Sequence, residues 1–89
     1  MVVISQGNAA EALAVTVARQ LRQIGQAVDV DLSGAGFGKQ LKRAGKSGAR
    51  WALLIGDEEA SSGQLQRKDL HSGDSSTIPL QSLAENWIS

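Results

Sequence analysis

Apolar and polar positions follow two different periods along this chain, and the switches between them mark its elements. Val2 to Ile4 is a short apolar run that stops at Gln6-Gly7, which predicts an opening strand and a turn. Ala10, Leu13, Ala14, Val17, Leu21 and Ile24 then recur at three- and four-residue intervals, the spacing of one helix face. Asn8 stands where a helix cap is needed and Gly25 where a helix would stop. Val28, Val30 and Leu32 alternate with Asp29 and Asp31, giving a second strand with one acidic side. The cluster Gly34, Gly36, Gly38 turns into a second helix whose buried stripe is Phe37, Leu41 and Ala44. Gly45 and Gly48 weaken that helix, at about 1 kcal/mol each relative to alanine. Trp51 to Ile55 is apolar on both faces, as a strand between two helical layers must be. After Gly63, Gln64 to Leu70 and Ser76 to Ile78 read as a hairpin around His71-Ser72-Gly73-Asp74. Pro79 opens a last helix with Leu80, Leu83 and Trp87 on one face.

The order strand, helix, strand, helix, strand, strand, strand, helix specifies an α/β domain. Two right-handed crossovers give three parallel strands, and the hairpin adds an antiparallel one. Periodicity does not fix the strand order. No repeat, linker or low-complexity tract interrupts the chain, so residues 1–89 are read as a single domain.

Composition narrows the class. A fold of 89 residues buries roughly 60 to 65% of its unfolded surface and is marginally stable alone. With 42% apolar residues the chain is nonetheless globular. The absence of cysteine removes disulfides, thiol catalysis and cysteine-based metal sites together. The longest apolar run, Trp51 to Ile55, is too short to span a bilayer, and the N-terminus lacks a signal peptide's basic region and apolar core. A soluble, cytoplasmic protein is expected.

The formal net charge is zero, which by itself argues against nucleic acid. Its distribution argues the other way. Between Leu32 and Gly56 stand Lys39, Lys42, Arg43, Lys46 and Arg50 with no acid among them, and then Asp57, Glu58 and Glu59 arrive together. Phosphate contacts respond to local rather than net charge. The plainer alternative is a solvated helix face.

Catalytic chemistry finds little to work with. His71, the one histidine, lies in a predicted turn with no activated nucleophile or second ligand spaced to join it. The acidic trio could be read as a magnesium site, yet adjacent residues at a strand exit point in different directions. No catalytic residue, metal site or cofactor is expected. The segment G-A-G-F-G-K at Gly34 to Lys39 fits neither the dinucleotide fingerprint nor the triphosphate loop. It still offers backbone amides at a helix N-terminus followed by a lysine, which suits a phosphate as well as it suits a plain turn. Trp51, Trp87 and Phe37 all fall on predicted core stripes, so stacking on exposed aromatics is not the main device.

Four pieces in order, VDLSG at Val30 to Gly34, KQLKRAGKSGA at Lys39 to Ala49, IGDEE at Ile55 to Glu59 and G-x-L-x-x-KDL at Gly63 to Leu70, resemble the C-terminal anticodon-binding domain of class II aminoacyl-tRNA synthetases, most closely the histidyl type. The resemblance implies a three-layer α/β/α sandwich with a five-stranded mixed sheet, order 2-1-3-4-5, strand 4 antiparallel. It also implies a tRNA anticodon stem-loop as partner. By motif position Glu59 and Lys68 would read a base, an acid and a cation facing one nucleotide. Asp31, Ser33, Lys39, Gln40, Lys42, Arg43 and Lys46 would lie nearby for phosphate and ribose.

Two positions depart from that pattern. Gly38 replaces a common lysine and Gly45 the usual acid of A-D-K, which weakens the second helix and removes a phosphate partner. Nothing in the chain resembles the catalytic motifs of a synthetase, so alone it activates no amino acid. It is read as a domain excised from a longer ligase, whose catalytic domain would be its second partner and would hold any homodimer. The alternatives are a freestanding synthetase-like paralogue used as an interaction or regulatory module and, third, a flavodoxin-like binder of a small ligand at the glycine loop.

Overall fold

The computed structural model describes residues 1–31 and 33–83. Five strands form one sheet, β1 (Val2–Gln6), β2 (Asp29–Asp31), β3 (Trp51–Gly56), β4 (Gln64–Asp69) and β5 (Ser75–Pro79), in the order β2-β1-β3-β4-β5. β1 pairs parallel with both β2 and β3, and β4 runs antiparallel to both β3 and β5. This is the strand order and direction that the resemblance implied.

Helix α1 (Asn8–Gln23) lies on one face of the sheet and α2 (Phe37–Lys46) on the other. The chain moves in opposite directions across the sheet on opposite faces, so both crossovers share one hand. Small residues let α1 approach closely: Ala10, Ala14, Val17, Ala18 and Leu21 are buried against Val3, Leu53, Ile55, Leu65 and Ile78. The α2 side is thinner. Ala44 meets Val2, Ile4 and Ala52, with Phe37, Leu41, Leu54 and Leu70 half-buried around them.

Several local expectations are corrected. Asn8 is the first helical residue and Gly7 is the cap: Gly7 has φ 111°, and its carbonyl accepts the Glu11 N–H at 2.9 Å. That φ favours a glycine, and an alanine Cβ there would also displace the Asp57 carboxylate. The acidic stretch is a third helix, α3 (Asp57–Ser62), which packs on the α1 side through Ala60. Gly48 lies beyond the end of α2, with φ 82°, and ends the helix instead of weakening its interior. Trp51 is only half-buried, with the Arg50 and Arg67 guanidinium groups 4.9 and 4.8 Å from its ring centre. Of the predicted last helix, Leu80–Ser82 forms a 3-10 turn with Pro79 as its cap; Trp87, like Leu32, lies outside the described residues.

Candidate nucleic-acid interface

The two halves of the sheet are covered unequally. On the α2 side the apolar cluster reaches from β1 to β3, with Leu70 at the end of β4 at its edge. Side-chain direction alternates along a strand and matches across a pair, so β4 and β5 present Gln66, Lys68, Ser75 and Thr77 on this same side. Gln66 stands opposite Leu54 on β3 and Thr77 on β5, and Lys68 stands opposite Ala52 and Ser75. Gln66, Ser75 and Thr77 are exposed and Lys68 half-exposed. Among the described residues this half-face has no helix over it.

Glu59 closes the upper end of the strip. It sits in the first turn of α3, and its Oε1 accepts the backbone N–H of Gly56 at 3.3 Å, beside the Phe37 ring. Because Gly56 has no side chain, this is only the reciprocal half of a capping box. Glu59 and Lys68 therefore border one surface from opposite ends. Their anchoring positions on β3, Gly56 and Ala52, are four residues apart, or about 13 Å. They form no ion pair with each other, and they frame the strip as an acid and a cation.

The basic helix divides into flanks. Arg43 and Ser47 line a shallow groove of about 330 Å³ at the β2 edge, together with Val2, Asp29, Val30, Asp31, Gln40 and Ala44. Arg43 Nη1 lies 3.6 Å from Asp31 Oδ2 there. At 100° per residue the opposite flank of α2 carries Gly38 and Gly45 and borders the open half of the sheet, and Lys42 stands between that flank and the outward side. Lys39 and Lys46 point outward between the two. The predicted phosphate residues are thus spread around the helix, and by helical angle Lys42 is turned toward the side of the strip that Glu59 and Lys68 frame.

Three further predicted residues are held by internal bonds. Gln40 is fully buried: its amide accepts the Ser5 N–H at 3.2 Å, donates to the Ser5 carbonyl at 2.8 Å and donates to the Ala35 carbonyl. It has no atom to offer RNA, and its place among the candidates is withdrawn. Asp31 Oδ1 accepts the Ser33 N–H at 3.0 Å, and Ser33 Oγ accepts the Ala35 N–H at 3.3 Å. The Ser33 hydroxyl and N–H, with Arg43 beside them, outweigh desolvation and hold the Asp31 carboxyl below its ordinary range. Asp31, Ser33 and Ala35 are in this way bonded to one another where β2 gives way to α2.

The KDL piece is explained in the same terms. Asp69 Oδ1 accepts N–H groups from His71 at 2.9 Å and Ser72 at 3.3 Å, and Oδ2 lies 3.5 Å from Arg50 Nη2. These backbone N–H groups first, and Arg50 after them, lower the Asp69 carboxyl below the usual range. His71 is an exposed turn residue. At the crevice between the ends of β1 and β3, where strand order reverses and a doubly wound fold would admit a ligand, the Asp57 carboxylate lies against Gly7 at the N-terminus of α1. That acid favours the helix dipole and repels a phosphate. No helix among the described residues is long and apolar enough to cross a membrane. No group of three or more His, Cys, Asp or Glu side chains among them could hold a metal ion.

Gln66, Thr77 and Ser75 were not singled out by sequence reasoning. Their alternation with Leu65, Arg67 and Ile78 was visible, but which face a helix leaves open depends on the width of the sheet.

Comparison with known proteins gives this surface a family. The family model described as "Anticodon binding domain" matches residues 1–88. The chain is 96% identical over 89 residues to a histidine–tRNA ligase of Synechococcus sp. strain RCC307, covering all of this chain and 22% of that protein. It is 49% identical over 87 residues to the histidine–tRNA ligase of Thermosynechococcus vestitus, covering 97% of this chain and 20% of the relative. The chain therefore spans about a fifth of the length of these relatives. The crystal structure of Staphylococcus aureus histidyl-tRNA synthetase superposes with a TM-score of 0.89 at 30% identity, over 99% of this chain and 23% of that one. The RNA-binding domain of Cryptosporidium parvum threonyl-tRNA synthetase superposes with a TM-score of 0.86 at 22% identity, over 96% of this chain and 22% of that one, and at that identity shows the shared fold alone. With a family match across residues 1–88 and a sheet of the order and direction described above, the chain belongs to the anticodon binding domain family.

Proposed function

We propose that this chain is the anticodon-binding module of a histidyl-tRNA synthetase, and that the half-open face of its sheet receives the anticodon loop. The observation that carries the reading is the register: it brings Lys68, Gln66, Ser75 and Thr77 onto one face that no helix covers among the described residues, with Glu59 at its upper end. Unstacked loop bases are read by hydrogen bonds along their edges, and this strip offers a carboxylate, an amide, an ammonium and two hydroxyls on rigid strands. Lys42, Lys39 and Lys46 supply the phosphate attraction that a neutral chain needs locally. The parent enzyme would attach histidine to its tRNA using ATP, in a catalytic domain that is the second partner and holds the homodimer.

Binding of a histidine tRNA anticodon stem-loop, compared with a stem-loop of scrambled loop sequence, tests the reading. Glu59→Gln keeps an acceptor for the Gly56 N–H while removing the charge, so it is preferred to alanine at that position. Glu59→Gln and Lys68→Ala should each cost about 1 to 3 kcal/mol with the cognate loop and much less with the scrambled one. Equal losses on both RNAs would remove base reading from these two positions.

A further inference from the structure

We infer that Gln66 is a base-reading residue of this face, a role given to it by its position in the sheet and by no motif. The inference rests on the anticodon-loop reading above and adds to it the group at the middle of the strip. Gln66 lies between the two framing residues, one strand position pair below the level of Gly56 and one above Lys68. Its side chain is exposed on a strand that is hydrogen-bonded on both sides, so the backbone beneath it is fixed.

Its neighbours leave it available. Leu54, directly across on β3, is half-buried and apolar, and supplies a flat floor without competing polar atoms. Thr77, directly across on β5, is exposed, and its Cβ stands about 5 Å from that of Gln66. The Gln66 amide forms no hydrogen bond to another described residue. This contrasts with Gln40, whose amide is consumed entirely by the fold. A side-chain amide presents one acceptor and two donor hydrogens in a plane, which matches a base edge bearing a donor beside an acceptor. Lys68 only donates, so it selects an acceptor atom, whereas the amide reads a donor and an acceptor side by side. The chemistry of the strip therefore assigns the finer discrimination to Gln66, with the ligand class a single unstacked nucleotide of an RNA loop.

The experiment compares the 89-residue chain and two variants, Gln66→Ala and Gln66→Met, the second of which keeps the length and packing but loses the amide. Each is titrated with the histidine tRNA anticodon stem-loop and with a set of stem-loops in which every loop base is replaced one at a time. The wild-type chain is expected to lose about tenfold or more in affinity at each base it reads. In both variants that penalty should shrink to near unity at one loop position and persist at the others, with melting curves unchanged because the residue is exposed. A loss spread evenly over all loops, or discrimination equal to wild type at every position, would overturn the role of Gln66 while leaving the anticodon reading intact. Failure of the wild-type chain to prefer the cognate loop at all would overturn both.

Discussion

The Gln40 side chain is bonded to Ser5 as a neighbouring strand would be, accepting its N–H at 3.2 Å and donating to its carbonyl at 2.8 Å. A helix residue thereby completes the ladder of β1 at its exit and, through Ala35, ties down the loop that follows β2. A buried backbone group left without a partner costs about 1 to 3 kcal/mol, and Gln40→Ala strands two of them at Ser5. The variant should therefore lose about 2 kcal/mol or more, equivalent to a melting temperature roughly 8 to 16 °C lower for a domain of this size. Thermal unfolding followed by circular dichroism checks the loss. RNA affinity of the folded protein should stay near wild type, which separates Gln40 from the residues of the open face.

Two glycines should respond in opposite directions. A Cβ at Gly45 meets nothing within 4 Å, and the backbone there is helical, so Gly45→Ala should add up to about 1 kcal/mol of stability. Gly7 combines φ 111° with the Asp57 carboxylate in the space a side chain needs, so Gly7→Ala should cost about 1 to 3 kcal/mol. Urea titrations of both variants measure the pair of effects.

Acid should loosen the hairpin turn. The Asp69 carboxyl titrates below its ordinary value of 3.8, chiefly because its anion accepts the His71 N–H. A depressed folded value means that the stabilisation is complete above 3.8 and is lost as the pH falls from there through the folded value. Asp31, lowered first by Ser33, adds to the loss in the same window. Stability measured from pH 7 down to pH 2 should fall at the acid end, and Asp69→Asn should reduce the slope there while leaving it unchanged between pH 5 and 7.

The flanks of α2 should separate in salt dependence. Lys42 is turned outward on the side of α2 away from Arg43, which is directed to Asp31 at the β2 edge. Lys42→Ala should lower the log-log salt slope of stem-loop binding by about 0.7, one single-strand phosphate contact. Arg43→Ala should change it less. Binding isotherms between low and moderate salt decide the order.

What the sequence made legible follows from which forces are local. Period and turn chemistry located all five strands and two helices, because Val28 to Asp31 and Trp51 to Ile55 carry their pattern within a few residues. The helix over Asp57–Ser62 was hidden because three acids and two serines have no apolar stripe, and it forms where Gly56 and Gly63 bound it and Ala60 docks on the core. The cap of α1 was misplaced by one residue, since Gly7, at φ 111°, takes the cap position and Asn8 the first helical one. Motif position found Glu59 and Lys68, which the fold brings to one surface. It could not tell that Gln40 within KQLK is an internal ligand of Ser5, or that Arg43 and Lys42 are turned to different sides of α2, because both depend on where the sheet lies beneath the helix.

The central claim is that the half-face of β3, β4 and β5 carrying Gln66, Lys68, Ser75 and Thr77 is the surface that meets RNA. Amide chemical-shift mapping of the labelled chain during titration with a histidine tRNA anticodon stem-loop measures it directly. The account predicts that the shifts concentrate on Leu54, Gly56, Glu59, Gln66, Lys68 and Thr77, extend to Lys42, and leave the outer face of α1 near Val15 and Arg19 silent. Shifts centred on α1, or on the Asp29 and Arg43 groove at the β2 edge with β4 unperturbed, would contradict it.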